Sequence, residues 1–279
     1  MESFLKIIKN DCPPPLKNQR KHYKMSIIEG NEISKLLKGP YAKSGFNAVY
    51  DMNTPCEKKM IYRKTKRKLS HKKQLKHSFP NEVYMSILTS RKQISPLVYY
   101  SGIDPSGYGV IILQKYENSL RGLLKKYDIN QKNVERNLSI LFEKLASLNV
   151  FCWDLKLGNV VGDYNPTTSK LTLRLIDFDM YFCNSKIKLD NDVTVLALKI
   201  ILSANTKYRT PYTLFQTDIK EYITGTKRSK LKLFHALELI SEKPFKTVNR
   251  YREKHNLKIF KNPIEMLKDI LKIRRLKKT

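Results

Sequence analysis

The chain has 279 residues, 41% of them hydrophobic and 28% charged, which predicts a folded protein with a substantial core and excludes a wholly disordered one. No apolar run approaches the ~20 residues of a membrane span, and the start, Met1 to Lys6, lacks the long apolar segment of a secretory signal. The formal charge of +29 favours an acidic partner.

The four cysteines are scattered along the chain without C-x-x-C spacing, at Cys12, Cys56, Cys152 and Cys183. This spacing favours free thiols over a disulfide or zinc framework. Free thiols are typical of a reducing compartment, so we expect the protein in the cytosol or the nucleus.

The first predicted segment is a basic extension, residues 1–30, in which Pro13-Pro14-Pro15 ends any helix. Short runs rich in β-forming residues then predict four strands, at residues 48–50, 60–62, 97–100 and 108–113. The last two are joined by a turn at 104–107. Between the strands, apolar residues at helical spacing predict one helix over residues 81–88.

Helices dominate from Leu120 onward. Residues 134–148 place Leu138, Leu141, Phe142 and Leu145 on one face, which predicts a buried helix. Near the end, Asn262 to Glu265 reads as an N-cap, a first-turn proline and a capping-box acid, and so opens a terminal helix. The pattern predicts an α+β fold with a β-rich part before residue 115 and a helical part after it.

The most informative stretch follows the buried helix. It places Asp154, Lys156 and Asn159 on one tight loop, and a second carboxylate, Asp177, at the end of a later strand. This spacing is typical of phosphoryl transfer, in which a carboxylate orients the hydroxyl nucleophile, a lysine neutralises the moving phosphate, and Asn and Asp hold magnesium.

The D-x-K-x-x-N core, followed after a short hairpin by Ile176-Asp177-Phe178, resembles the catalytic and metal-binding loops of the protein kinase family. The resemblance implies a two-lobed fold with a small β-rich N-lobe carrying one main helix (31–115) and a larger helical C-lobe (116–279). It implies ATP and Mg²⁺ as cofactors. It also implies Asp154 and Lys156 as catalytic residues, and Asn159 and Asp177 as metal ligands.

The same resemblance predicts a nucleotide site upstream. Gly45, Phe46 and Val49 match the end of the family's phosphate-covering loop, although its three glycines are not all present. Lys64, on the predicted strand after Val49, resembles the lysine that anchors the α- and β-phosphates. Glu82, which opens the predicted helix of this part, resembles its helix partner.

An alternative for the anchoring residue is Arg63. A shift of one residue in the register of the strand turns each side chain to the opposite face of the sheet. Arg63 would then point to the place that the resemblance gives to Lys64.

The departures from the family pattern concern regulation. Cys152 and Trp153 replace a His-Arg pair whose Arg receives an activation-loop phosphate, so that switch is not expected here. Asp179 replaces the glycine of Asp-Phe-Gly. Asp192 resembles the buried aspartate that opens the central helix, and it follows Asp177 closely in the sequence. We therefore expect a shortened activation segment.

Small size and an AT-rich amino-acid usage resemble the divergent kinases encoded by large DNA viruses, for which the host cell or the virion would be the location. The resemblance implies a serine/threonine kinase with a protein substrate, acidic in character. Three basic clusters, Lys17 to Lys24, Lys58 to Lys76 and Lys272 to Lys278, favour sequence-independent nucleic-acid binding.

Two other functions share the fold. One is a pseudokinase that acts as a basic nucleic-acid- or protein-binding module, favoured by the incomplete glycine loop and by Asp179. The other is a kinase-like small-molecule phosphotransferase, favoured by the short segment after Asp177, because a peptide substrate normally docks there.

Overall fold

The structure is a computed structural model, and the residues that it describes are 23–24, 27–43, 47–52, 60–68, 79–152, 154–178, 181–183, 189–206, 213–240 and 243–272. Several predictions lie outside these ranges. They include those for the basic extension up to residue 22, most of the cluster from Lys58 to Lys76, and the residues after Lys272.

Eleven strands fall in the described ranges: β1 (Tyr23–Lys24), β2 (Leu37–Lys43), β3 (Asn47–Met52), β4 (Met60–Lys68), β5 (Val98–Ile103), β6 (Tyr108–Gln114), β7 (Asn118–Ser119), β8 (Val150–Cys152), β9 (Val160–Asn165), β10 (Lys170–Leu175) and β11 (Tyr181–Cys183). The same ranges contain nine α-helices: α1 (Ile27–Leu36), α2 (Phe79–Ser90), α3 (Leu120–Lys126), α4 (Gln131–Ser147), α5 (Asn191–Thr206), α6 (Gln216–Thr224), α7 (Lys227–Ile240), α8 (Lys243–Lys254) and α9 (Pro263–Leu271). The mixed α+β class predicted from the sequence is confirmed.

The chain divides into two compact units. Unit 1 contains residues up to Glu117 together with Arg174–Asp179, and unit 2 contains Asn118–Leu173 and the residues from Met180 onward. The short piece that contains Asp177 belongs to unit 1, and the Leu175 N–H donates to the Ile94 carbonyl of that unit at 2.7 Å.

Unit 1 is built on one sheet with the strand order β1-β5-β6-β4-β3-β2. The five longer strands pair antiparallel, and only the two-residue β1 runs parallel to its neighbour. The turn predicted between β5 and β6 is confirmed, since the Gly107 N–H donates to the Asp104 carbonyl at 2.9 Å. Gly107 has a φ of 86°, which glycine adopts without steric cost.

Both faces of this sheet are covered, because successive side chains of a strand point to opposite sides. On one face, Ile33 of α1 packs with Met60, Tyr62 and their neighbours on the strands. On the other face, Val83 and Ile87 of α2 pack against the alternate residues of β5 and β6. The side chains of successive β4 residues therefore lie alternately on the face covered by α1 and on the face covered by α2.

Unit 2 is mainly helical. The buried face predicted for α4 is confirmed, and its buried side chains are Val134, Leu138, Leu141, Phe142, Leu145 and Ala146. Helix α5 is buried over most of its length, with only its first residues and a few later positions reaching the surface. The predicted cap of α9 is also confirmed, since the Asn262 side chain accepts the Glu265 N–H at 2.9 Å.

Among the helices of the described residues, none combines the length and apolar character that crossing a membrane requires.

Candidate active site

The residues predicted from the sequence form two groups. Glu82, Asp177 and Val49 lie in unit 1 around one guanidinium group, while Asp154, Lys156 and Asn159 share a loop of unit 2. Gly45 and Phe46 lie outside the described residues, as do Trp153 and Asp179.

Arg63, on β4, joins the two predicted carboxylates of unit 1. Its Nη1 donates to Oε1 of Glu82, in the first turn of α2, and its Nη2 donates to Oδ1 of Asp177 at 2.9 Å. Glu82 and Asp177 are far apart in the sequence, yet one side chain binds both. We call these three residues the Arg63 triad.

The Arg63 triad is largely shielded from water. The side chains of Arg63 and Glu82 are 12% and 6% exposed, and that of Asp177 is 31% exposed. A buried charge is tolerated when it is paired and hydrogen-bonded, and the planar guanidinium can bind two carboxylates at once. One cation and two anions leave a formal charge of −1, with Asp177 the most accessible member.

Asp177 also has an unusual backbone. Its φ is 69°, in the left-handed region that residues other than glycine rarely adopt. The next side chain, Phe178, is buried, and its carbonyl accepts from the Asn81 amide of α2 at 3.4 Å. Aspartate tolerates this region better than most residues, and Gln93, Asn149, Ser169, Phe215 and Asn256 also adopt a positive φ among the described residues.

Lys64 is placed elsewhere. Its Nζ lies 2.6 Å from Oδ2 of Asp104 and 4.4 Å from the centre of the Tyr108 ring. Because neighbouring residues of a strand point to opposite faces, Lys64 cannot share the α2 face with Arg63. The pairing predicted for Lys64 with Glu82 is therefore made by Arg63, the alternative that the register argument left open.

Val49 lies beside the Arg63 triad. It pairs with Arg63 in the register of β3 and β4, and directly opposed residues of antiparallel strands project from the same face. The strand that follows the predicted phosphate-covering loop thus runs next to the guanidinium.

In unit 2, the predicted catalytic residues are brought together on one loop between β8 and β9. Nζ of Lys156 lies 2.5 Å from Oδ2 of Asp154, and the Asn159 amide donates to the Asp154 carbonyl at 3.0 Å. Both charged side chains are partly exposed, while Asn159 is buried within a 3₁₀ turn, Leu157–Asn159.

The loop that carries Asp154 and Lys156 is fixed by its buried leucines and by a hydrogen bond from α5. Leu155 and Leu157 are buried, and the amide of Asn205, on α5, donates to the Leu155 carbonyl at 2.8 Å. Alternation of buried leucines with polar residues therefore turns Asp154 and Lys156 outward. The role of Asn205 was missed from the sequence, where nothing distinguishes it from other helical asparagines.

The sequence interpretation of Asp192 is wrong. Helix α5 does begin at Asn191, but the Asp192 side chain is 61% exposed and pairs with Lys232 on α7. The capping residue is Asp190, whose Oδ1 accepts the Val193 N–H at 3.0 Å. Asp192 is the second residue of the helix and its side chain points to solvent. A match of sequence motifs alone does not show which way a side chain points.

The predicted metal ligands offer oxygen atoms for Mg²⁺ but do not form a complete set of protein ligands. Within the described ranges, no group of three or more His, Cys, Asp and Glu side chains is close enough to hold a metal ion. Mg²⁺ is commonly held by one or two carboxylates together with water and phosphate oxygens. The accessible Asp177 carboxylate has the chemistry for such a role, and so has the Asn159 side-chain oxygen.

Comparison of the sequence with protein-family models and with curated proteins finds no match.

Proposed function

We propose that the chain is an ATP- and Mg²⁺-dependent phosphotransferase with a protein kinase-like fold, which transfers phosphate to serine or threonine hydroxyls of a protein. The observation that carries this proposal is the Arg63 triad. In the triad, one guanidinium binds both the helix acid Glu82 and Asp177, the predicted metal ligand, and the resemblance gives each of these two residues a role at the nucleotide site.

The architecture of unit 1 supports the proposal. Its five longer strands form an antiparallel sheet, and the β-rich character fits the small lobe that the resemblance implies. Helix α2 lies between the third and the fourth of these strands, whereas α1 is a second helix that the prediction of one main helix did not include. Unit 2 is mainly helical, as the resemblance implies for the larger lobe. It also carries the loop with Asp154, Lys156 and Asn159, just before β9.

The proposed roles follow from the contacts of each side chain. Asp154 orients the hydroxyl nucleophile and accepts its proton. Lys156, 2.5 Å from that carboxylate, stabilises negative charge on the transferred group. Arg63 orients the nucleotide phosphates while Glu82 fixes its guanidinium. Asp177 of unit 1 and Asn159 of unit 2 are each proposed as a Mg²⁺ ligand, as the resemblance implies, and Mg²⁺ when bound would neutralise charge on the phosphates.

The test is transfer of labelled γ-phosphate from ATP to acidic and basic protein substrates. In Asp154→Asn we expect the rate to fall ~100- to 10,000-fold, the usual contribution of a positioned general base. Asp163→Asn, an exposed carboxylate of the same unit, is the matched control and should keep the wild-type rate. Wild type and Asp154→Asn giving equal rates above background would refute the assigned role.

A non-catalytic function is the second candidate, because the guanidinium of Arg63 already binds two carboxylates. In a pseudokinase these bonds would serve structure alone. If the wild type transfers no phosphate, and Mg²⁺-ATP does not raise its melting temperature, this candidate replaces the first.

A further inference from the structure

The face of the unit 1 sheet opposite the Arg63 triad carries a cavity of about 600 Å³, which we call the α1 cavity. It is lined by α1, by strands β2 to β4 and by the turn after β5. Its charged lining residues are Lys38, Lys64 and Asp104. Since Arg63 and Lys64 are adjacent on β4, the two sites lie on opposite faces of one sheet.

Lys64 is fixed in position at this cavity. Asp104 accepts from its ammonium group at 2.6 Å, and the carboxylate is itself held by the Tyr108 N–H at 2.9 Å. An ammonium group has three donors, and the Lys64 side chain is 30% exposed where it borders the cavity. Because Asp104 compensates the charge of Lys64, this ammonium group contributes an oriented donor to the cavity, and the excess positive charge of the lining comes from Lys38.

The balance of charge favours an anionic ligand. Two lysines and one aspartate give the lining a formal charge of +1, in a chain whose total is +29. Positive potential in a cleft raises the local concentration of anions.

The rest of the lining offers donors and an apolar wall. The rings of Tyr50 and Tyr62 meet edge to face with their centres 6.2 Å apart. Burial, and then the nearby Asp104 carboxylate, raise the pKa of the Tyr62 hydroxyl, so this group keeps its proton and remains a donor. A volume of about 600 Å³ lies within the usual range for small-molecule sites.

We propose that the α1 cavity binds a small molecule that carries a phosphate group, with Lys64 and Lys38 as cationic contacts and the Tyr62 hydroxyl as a further donor. Phosphate suits a lining that combines positive charge with several donors. The site is independent of the proposed phosphotransferase activity, because none of these side chains belongs to the Arg63 triad.

Equilibrium dialysis of the full chain with labelled inorganic phosphate and with AMP tests the proposal, with adenosine as the probe that lacks phosphate. We expect Lys38→Glu to weaken binding of both phosphate probes ~10-fold or more, the usual effect of losing a charged hydrogen bond. Lys35→Glu is the matched control. It makes the same charge change in an exposed residue of α1 that pairs with Glu32 and does not line the cavity.

Ser34→Trp tests the volume of the site separately from its charge. Ser34 is an exposed residue of α1 on the cavity wall, so a large side chain there fills the cavity without entering the core. We expect AMP binding to be lost in this variant and the circular dichroism spectrum to be unchanged.

Three results would overturn the proposal. The first is a wild type that binds neither phosphate nor AMP, and the second is an equal loss of binding in Lys38→Glu and Lys35→Glu. The third is AMP binding that is lost in Arg63→Lys but kept in Lys38→Glu and Ser34→Trp, which would place the nucleotide on the other face of the sheet.

Discussion

Replacing Arg63 with Met removes the cation that pairs with both carboxylates of the Arg63 triad. Glu82, only 6% exposed, would be left as a buried charge without its partner, which costs ~3–5 kcal/mol. Asp177 is 31% exposed and can be solvated, so it adds little. At ~2–4 °C per kcal/mol, we expect the melting temperature to fall by roughly 6–20 °C.

A second substitution separates the ion pair from simple loss of packing. In Arg63→Met/Glu82→Leu the buried pair becomes two apolar side chains of similar size, an exchange that is often neutral or stabilising. We therefore expect the double variant to recover most of the lost stability while remaining unable to transfer phosphate.

Thermal and urea unfolding, followed by circular dichroism, measure both effects. Arg91→Met is the control, because Arg91 is an exposed arginine of unit 1, and its substitution should change stability by less than ~0.5 kcal/mol. Equal stability of Arg63→Met and Arg91→Met, or a double variant no more stable than the single one, would show that Arg63 and Glu82 do not form a stabilising buried ion pair.

Three further outcomes are expected. Lys156→Met should lower the rate of phosphate transfer ~100-fold or more, since a preorganised charge beside the reacting group is lost, whereas Lys125→Met, at an exposed position of α3, should not. Asn205→Leu leaves the buried Leu155 carbonyl without its donor and should lower the free energy of unfolding, measured in urea, by ~1–3 kcal/mol. The same variant should also transfer phosphate more slowly than wild type. The raised pKa of Tyr62 contributes stability that is complete below about pH 10 and declines as the pH rises towards the folded-state value, so urea midpoints between about pH 8 and 11 should fall less in Tyr62→Phe than in wild type.

Local patterns predicted much of the fold. The α4 face, the cap of α9 and the turn after β5 each depend on residues that are close together in the sequence, and all three are confirmed. The loop from Asp154 to Asn159 is equally local in the sequence, and it brings the three predicted residues together, although Asn205 of α5 also holds it in place.

The contacts that depend on strand facing were harder to predict. Lys64 has the expected spacing from Val49 and Glu82, but which of two adjacent side chains faces α2 depends on the register of β3, β4 and β6. A register shift of one residue would place Lys64, instead of Arg63, on the face of the sheet that α2 covers. In the observed register Lys64 lies on the opposite face, beside Asp104. Asn205 contacts Leu155 and Asp104 contacts Lys64, and in both pairs the partners are far apart in the sequence. No local motif predicts such contacts.

Transfer of labelled γ-phosphate from ATP by wild type and by Asp177→Asn, at saturating Mg²⁺-ATP, tests the central claim most directly. Asp177 is the most accessible member of the Arg63 triad, and the amide keeps its shape while removing the charge. We expect wild type to transfer phosphate and Asp177→Asn to be at least ~100-fold slower, since the variant loses the charge proposed to hold the metal. Equal rates in the two proteins would contradict the proposal that the Arg63 triad belongs to a phosphoryl-transfer site.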